Sequence, residues 1–191
     1  MKVIINATME SSRRLLPTLL ICLLAPTAVA LAADNALSTY NKSMYGGLKK
    51  IVLRSAEQVP EETYNFKPTE AVRSFGQIVG HVADAQYTFC SVVLGERNPA
   101  PKIEQTKTSK NDLIASLKEA FAYCDKAYDG MTDASAVQMV KLFNNDAPKL
   151  GVLTVNNVHT TEHYGNLITY MRLKNIVPPT SDPAFMKQLM K

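Results

Sequence analysis

The 191-residue sequence has no tryptophan, only three histidines and only three cysteines. No C-x-x-C pair occurs, which excludes a thioredoxin-type redox motif. No G-x-S-x-G and no glycine-rich phosphate loop occur either, so a nucleophile elbow and a P-loop are excluded. A serine–histidine triad would need a serine and a carboxylate that no segment places. Internal repeats and low-complexity tracts are lacking after the first 32 residues. A second long apolar run is lacking too, so the expected mature protein is soluble.

The one long apolar run lies near the N-terminus, from Leu15 to Ala32. Arg13 and Arg14 precede it, and the small residues Ala30 and Ala32 offer an A-x-A cleavage site. That is the three-part layout of a secretory signal peptide. The run carries two prolines and ends in small residues, which favours cleavage over a membrane anchor. Cys22 follows Ile21, where a lipoprotein site wants a small residue. The expected organisation is a signal peptide over residues 1–32 and one domain over 33–191, in a periplasmic or secreted protein. The mature chain has 18 basic and 16 acidic side chains, net +2. That balance gives no reason to expect nucleic acid or an anionic membrane surface as a partner. Cys90 and Cys124 remain after cleavage; a disulfide and two separate packed thiols are both open.

Four helices are expected. The first runs from about Ala36 to Glu57, with an apolar stripe of Leu37, Tyr40, Met44, Leu48, Ile51 and Val52. Gly46 and Gly47 within it cost roughly 1 kcal/mol each against alanine, and a close helix contact or a kink would explain them. Pro60 stops this helix, and a linker with the aromatic candidates Tyr64 and Phe66 follows. Ser74 with Gln77 forms a capping box for the second helix, which ends at Gly95. A polar loop leads to a third helix, capped by Ser109 or Asn111 and ended before Gly130. Val137 to Phe143 reads either as a short strand before Asn144-Asn145-Asp146 or as a packed loop. The fourth helix runs from about Leu150 to Lys174. The expected fold class is all-α, a four-helix bundle.

His159 and His163 stand four apart, so on a helix they share one face. Asn156, Asn166, Leu167 and Tyr170 fall on the same face. His81 lies on the apolar stripe of the second helix with Ile78, Ala85 and Phe89. Histidines among apolar neighbours are costly unless paired or ligating. Three imidazoles with open positions are the usual layout of a catalytic metal. The familiar zincin motif is absent, because Thr160 stands where it wants glutamate. Asp84 is one turn from His81; it is a candidate to orient His81 or act as a base near the metal, and equally a candidate for a solvated edge carboxylate. Tyr164 is a second candidate for proton transfer. Cys90 falls about 180° round the helix from His81 and should face away. Three neutral imidazoles suit zinc, nickel, iron or copper. Such an ion keeps positions open for water or substrate and lowers the pKa of water to about 7, or activates a thiolate or polarises a carbonyl.

The run from Pro60 through His81-Val-Ala-Asp84-Ala resembles the linker and second helix of DinB-type proteins, damage-inducible metal-binding bundles. The run His159-Thr-Thr-Glu-His163-Tyr164 through Pro178-Pro179-Thr-Ser resembles that family's final helix and tail. The resemblance implies an up-down-down-up bundle with a divalent ion, such as zinc, nickel, iron or manganese, on His81, His159 and His163. It further implies kinship to thiol S-transferases and a thiol-dependent maleylpyruvate isomerase, and a homodimer. Asn166 stands where the family often has glutamine. The export signal argues against a thiol cofactor, which is scarce outside the cytosol. The expected function is a metal-dependent enzyme, of hydrolase or thiol-transferase type, acting on a small-molecule substrate. The alternatives are a non-catalytic metal-binding or stress-response protein and a metal-free bundle that binds a partner.

Overall fold

Two of the four long helices start at a serine whose side chain caps the first turn, and a third follows a proline. The computed structural model describes residues 35–189, and the expected signal peptide lies outside them. Helix α1 spans Ala36–Gln58. Pro60 pushes Val59 into an extended conformation (φ −71°, ψ 131°) and ends it. After a 3-10 turn at Glu61–Asn65, α2 spans Phe75–Leu94. The Ser74 hydroxyl accepts from the Gln77 N–H, and the Gln77 side chain accepts from the Ser74 N–H. Gly95 closes α2 in the left-handed region at φ 71°.

A one-turn helix, α3 (Ile103–Thr106), interrupts the loop expected to be irregular. Helix α4 spans Lys110–Asp129, with Ser109 as its cap. A short α5 (Asp133–Ala136) and a hairpin of β1 (Met139–Leu142) and β2 (Asn145–Pro148) follow. Leu142 pairs with Asn145 in an antiparallel register. The turn is therefore Phe143-Asn144, both at positive φ (47° and 70°), as a tight two-residue hairpin requires. It lies one residue earlier than the turn residues suggested, and Asn145 and Asp146 belong to β2. Helix α6 spans Lys149–Leu173, and α7 (Pro183–Leu189) ends the described chain. No helix among the described residues is long and apolar enough to cross a membrane.

The domain is mostly helical. Helix α2 packs on α4 and α6, and α1 packs on those same two helices. The core between them holds Val52, Phe75, Val82, Leu117, Phe121, Leu153 and Leu167. A buried polar chain crosses this core. Gln86 donates to Thr160, Asn156 donates to Gln86, and Asn157 donates to the backbone of Asn41. The Tyr128 hydroxyl accepts from Asn156 and lies 3.0 Å from Asn157 Oδ1. Such a buried network fixes the register of the four long helices against one another, with Asn156 Oδ1 its one atom that has no partner among the described residues.

This polar chain explains where α1 departs from its apolar pattern. Leu37, Tyr40 and Met44 face solvent. Ser38, Asn41 and Tyr45 are buried instead. Ser38 bonds Asp133 of α5, Asn41 bonds Thr154 and Asn157 of α6, and Tyr45 stacks on Tyr128 at 3.8 Å. Hydrogen bonds, not apolar spacing, choose the buried face of this half. Gly46 and Gly47 have open space around them, so no close helix contact accounts for them, and α1 runs through unbroken.

Cys90 of α2 and Cys124 of α4 form a disulfide across 34 residues, with Cα atoms 5.3 Å apart. Closing a loop of that length stabilises the fold by about 2–4 kcal/mol. Urea unfolding with and without reductant should show a loss of that size, and an unchanged midpoint would contradict a stabilising role.

Candidate metal centre

The contact of α2 with α6 sets His81 opposite His159 and His163. The three Nε2 atoms converge: His81 to His159 is 3.1 Å, and His163 to His159 is 3.1 Å. The ligand atoms of all three lie within 4.8 Å of one another. They are thus positioned to hold one metal ion.

Gly80 shapes the neighbouring wall. A Cβ there would stand 2.8 Å from the Glu104 Cα, so only glycine lets α3 lie this close to α2. Asp84 fixes α3 from the same helix: its two oxygens accept from the N–H groups of Ile103 (2.7 Å) and Glu104 (2.9 Å). Ile103 is buried and pins the segment. Glu104 is thereby placed over His81, with its Oε2 2.9 Å from Nδ1. Glu104 Oε1 accepts from Arg73 Nε at 2.7 Å.

The structure places the two candidates for orienting or proton-transfer roles, Asp84 and Tyr164, in other contacts. The carboxylate on His81 is Glu104, and Asp84 acts one step back by holding α3. The Tyr164 hydroxyl is engaged with Thr180 in the tail, at 2.9 Å, rather than with the imidazoles. Cys90 faces away from the histidines, as expected, and into its disulfide. Nothing in the local spacing marks Glu104, which is 23 residues from His81. The one available hint was a lone Ile103 in a polar stretch, the anchor of an otherwise exposed loop.

The donor set suits a cation. A carboxylate on His81 Nδ1 favours the proton on that nitrogen and turns the Nε2 lone pair toward the other rings. His163 Nδ1 has the Asn166 amide 3.4 Å away. His159 Nδ1 is buried with no partner among the described residues, and its ring is wedged edge-on against Phe89. Three nitrogens facing one another at such distances are satisfied together by one positive ion.

Burial, then the nearby His163, His81 and Arg73, pushes His159 down from 6.5 to about 4. His163 is also lowered, first by burial and then by His81 and Arg73, with Glu162 and Glu104 opposing. Both rings are therefore held neutral, the state that ligation requires. Beside them opens a cleft of about 580 Å³, lined by Arg73, Gln77, Glu104, His163 and Tyr170 among others.

The lowered value at His159 has a consequence for the metal-free protein. Between pH 6.5 and about 4 the unfolded histidine holds a proton that the folded one does not. Stability should fall as pH drops through that window and level off in this respect below it. Denaturant unfolding across the window should show a shallower slope for His159→Gln than for wild type, and identical slopes would contradict the buried neutral ring.

Comparison with known proteins fits this arrangement. A family model described as the DinB superfamily matches residues 49–167. The uncharacterized protein YjoA of Bacillus subtilis (strain 168) is 26% identical over 121 residues, covering 61% of this chain and 77% of its own. A crystal structure of a DinB-like protein from Bacillus cereus ATCC 10987 superposes with a TM-score of 0.64 at 15% identity, over 71% of this chain and 91% of that one. The YjoA structure from B. subtilis gives 0.59 at 21% identity, over 71% and 92%. These two likenesses show the fold. The matched stretch takes in His81, Glu104, His159 and His163, and the chain belongs to the DinB superfamily.

Proposed function

We propose that this chain is an exported metal-dependent enzyme built as an up-down-down-up four-helix bundle. Its divalent ion, zinc, nickel, iron or manganese, is held by His81, His159 and His163. The observation that carries this reading is the convergence of three Nε2 atoms beside an open polar cleft. A bound ion of this kind supplies Lewis acidity and activates water for hydrolysis near neutral pH. The chain's own residues do the positioning. Glu104 orients the His81 ring, the α2–α6 contact fixes the other two, and the cleft admits a small molecule.

Export is supported by the Cys90–Cys124 disulfide, since such bonds persist in oxidising compartments. The same setting favours a hydrolase over a transferase that consumes a cytosolic thiol. The solvent-facing Leu37, Tyr40 and Met44 on α1 support a homodimer, because exposed apolar patches mark association surfaces.

Metal analysis of the purified protein should give about one ion per chain, as one closed set of three ligands dictates. His81→Ala and His163→Ala should lose most of it, and variants that keep wild-type content would overturn the ligand assignment. Ester and amide substrates screened with and without chelator separate an enzyme from a metal-storage protein: turnover that chelator abolishes supports catalysis, and metal without turnover across the panel supports storage. Glu104→Ala should weaken metal affinity by about 10- to 100-fold while leaving the fold intact. Unchanged affinity, measured by competition with a chromogenic chelator, would remove Glu104 from the site.

A further inference from the structure

The cleft beside the three histidines is lined by two cations, Lys67 and Arg73, and three carboxylates, Glu70, Glu104 and Glu162. Lys67 is paired with Glu70. Arg73 gives only its Nε to Glu104. Among the described residues, no protein group accepts from the two terminal nitrogens of its guanidinium. The end-on edge of a guanidinium is the edge that takes a carboxylate with two parallel hydrogen bonds. Glu104 braces this group from behind, because its other oxygen is fixed on His81. Arg73 sits half-exposed, at 45%, open to an incoming ligand. Its backbone is tied independently: the Tyr170 hydroxyl donates to the Arg73 carbonyl at 2.9 Å.

Charge points the same way. The lining side chains alone sum to −1, and the two ion pairs cancel locally, leaving the exposed Glu162. A divalent ion on the histidines turns the neighbourhood to +1, which one further anion neutralises. Apolar surface from Ala71, Val72 and Ile78 lines the same cleft, so the anion is expected to be attached to a small carbon skeleton.

We propose that Arg73 is the specificity-determining residue of this cleft and binds the carboxylate of a small organic acid, directing the rest of the molecule toward the three histidines. The proposal rests on the metal-centre reading above. The carboxylate meets the free edge of the guanidinium, and Glu104 couples that edge to the His81 ring. Neutral molecules of the same shape leave the guanidinium without its partner and are rejected.

The test uses zinc-loaded full-length protein, with zinc content measured first and ligand binding followed by calorimetry. The probes are succinate and its neutral counterpart succinamide. Wild type should bind succinate in clear preference to succinamide. Arg73→Gln should keep its zinc and lose about ten-fold or more in succinate affinity, the size expected for a charge-assisted pair. Arg73→Gln protein that binds succinate as well as wild type overturns the assignment, as does a wild-type preference for succinamide. Loss of zinc together with succinate in Arg73→Gln would make the residue a support of the centre and also overturn it. Wild-type protein that takes up no zinc overturns the metal centre itself, so the two failures are told apart.

Discussion

The contact between α2 and α6 is the constraint on which the candidate site depends. It brings one histidine from the first half of the domain against two from the last long helix, with Nε2 atoms 3.1 Å apart. Holding such rings together without a cation is unfavourable, because burial takes the facing nitrogens of His159 and His163 out of water and keeps those two rings unprotonated. The fold must supply that cost elsewhere. The disulfide between α2 and α4, and the polar chain from Gln86 through Asn156 and Asn157 to Asn41, lie in the adjacent core and lock the same helices in place.

A second layer acts through α3, a single turn of helix with little stability of its own. Asp84 caps it, Gly80 lets it approach, and Ile103 anchors it. The result is a carboxylate held between the His81 imidazole and Arg73, which lines the cleft. The orientation of His81 and the position of the Arg73 guanidinium therefore share one residue, Glu104. Any shift of α3 is felt at both.

What could be read from the sequence was local. The Ser74–Gln77 capping box, the stop at Gly95 and the His159–His163 spacing each involve residues within one turn or at a helix end, and the structure holds all three. What escaped depends on distant pairs or on polar burial. Glu104 reaches His81 from 23 residues away, and the Cys90–Cys124 bond, one of two readings open in the sequence, spans 34. The buried face of α1 near its start departs from the apolar pattern because Ser38 and Asn41 are satisfied by hydrogen bonds, which such a pattern does not register. The hairpin turn was displaced by one residue because Phe143 adopts a left-handed conformation that its residue type disfavours, with its ring set edge-on to Phe89.

If the site works as proposed, one ion binds all three imidazoles at once. X-ray absorption of the zinc-loaded protein tests it most directly. The expected shell includes three imidazole nitrogens at about 2.0–2.1 Å, with the multiple scattering that imidazole rings produce. A shell with one imidazole or none, filled instead by carboxylate oxygens or sulfur, would contradict it.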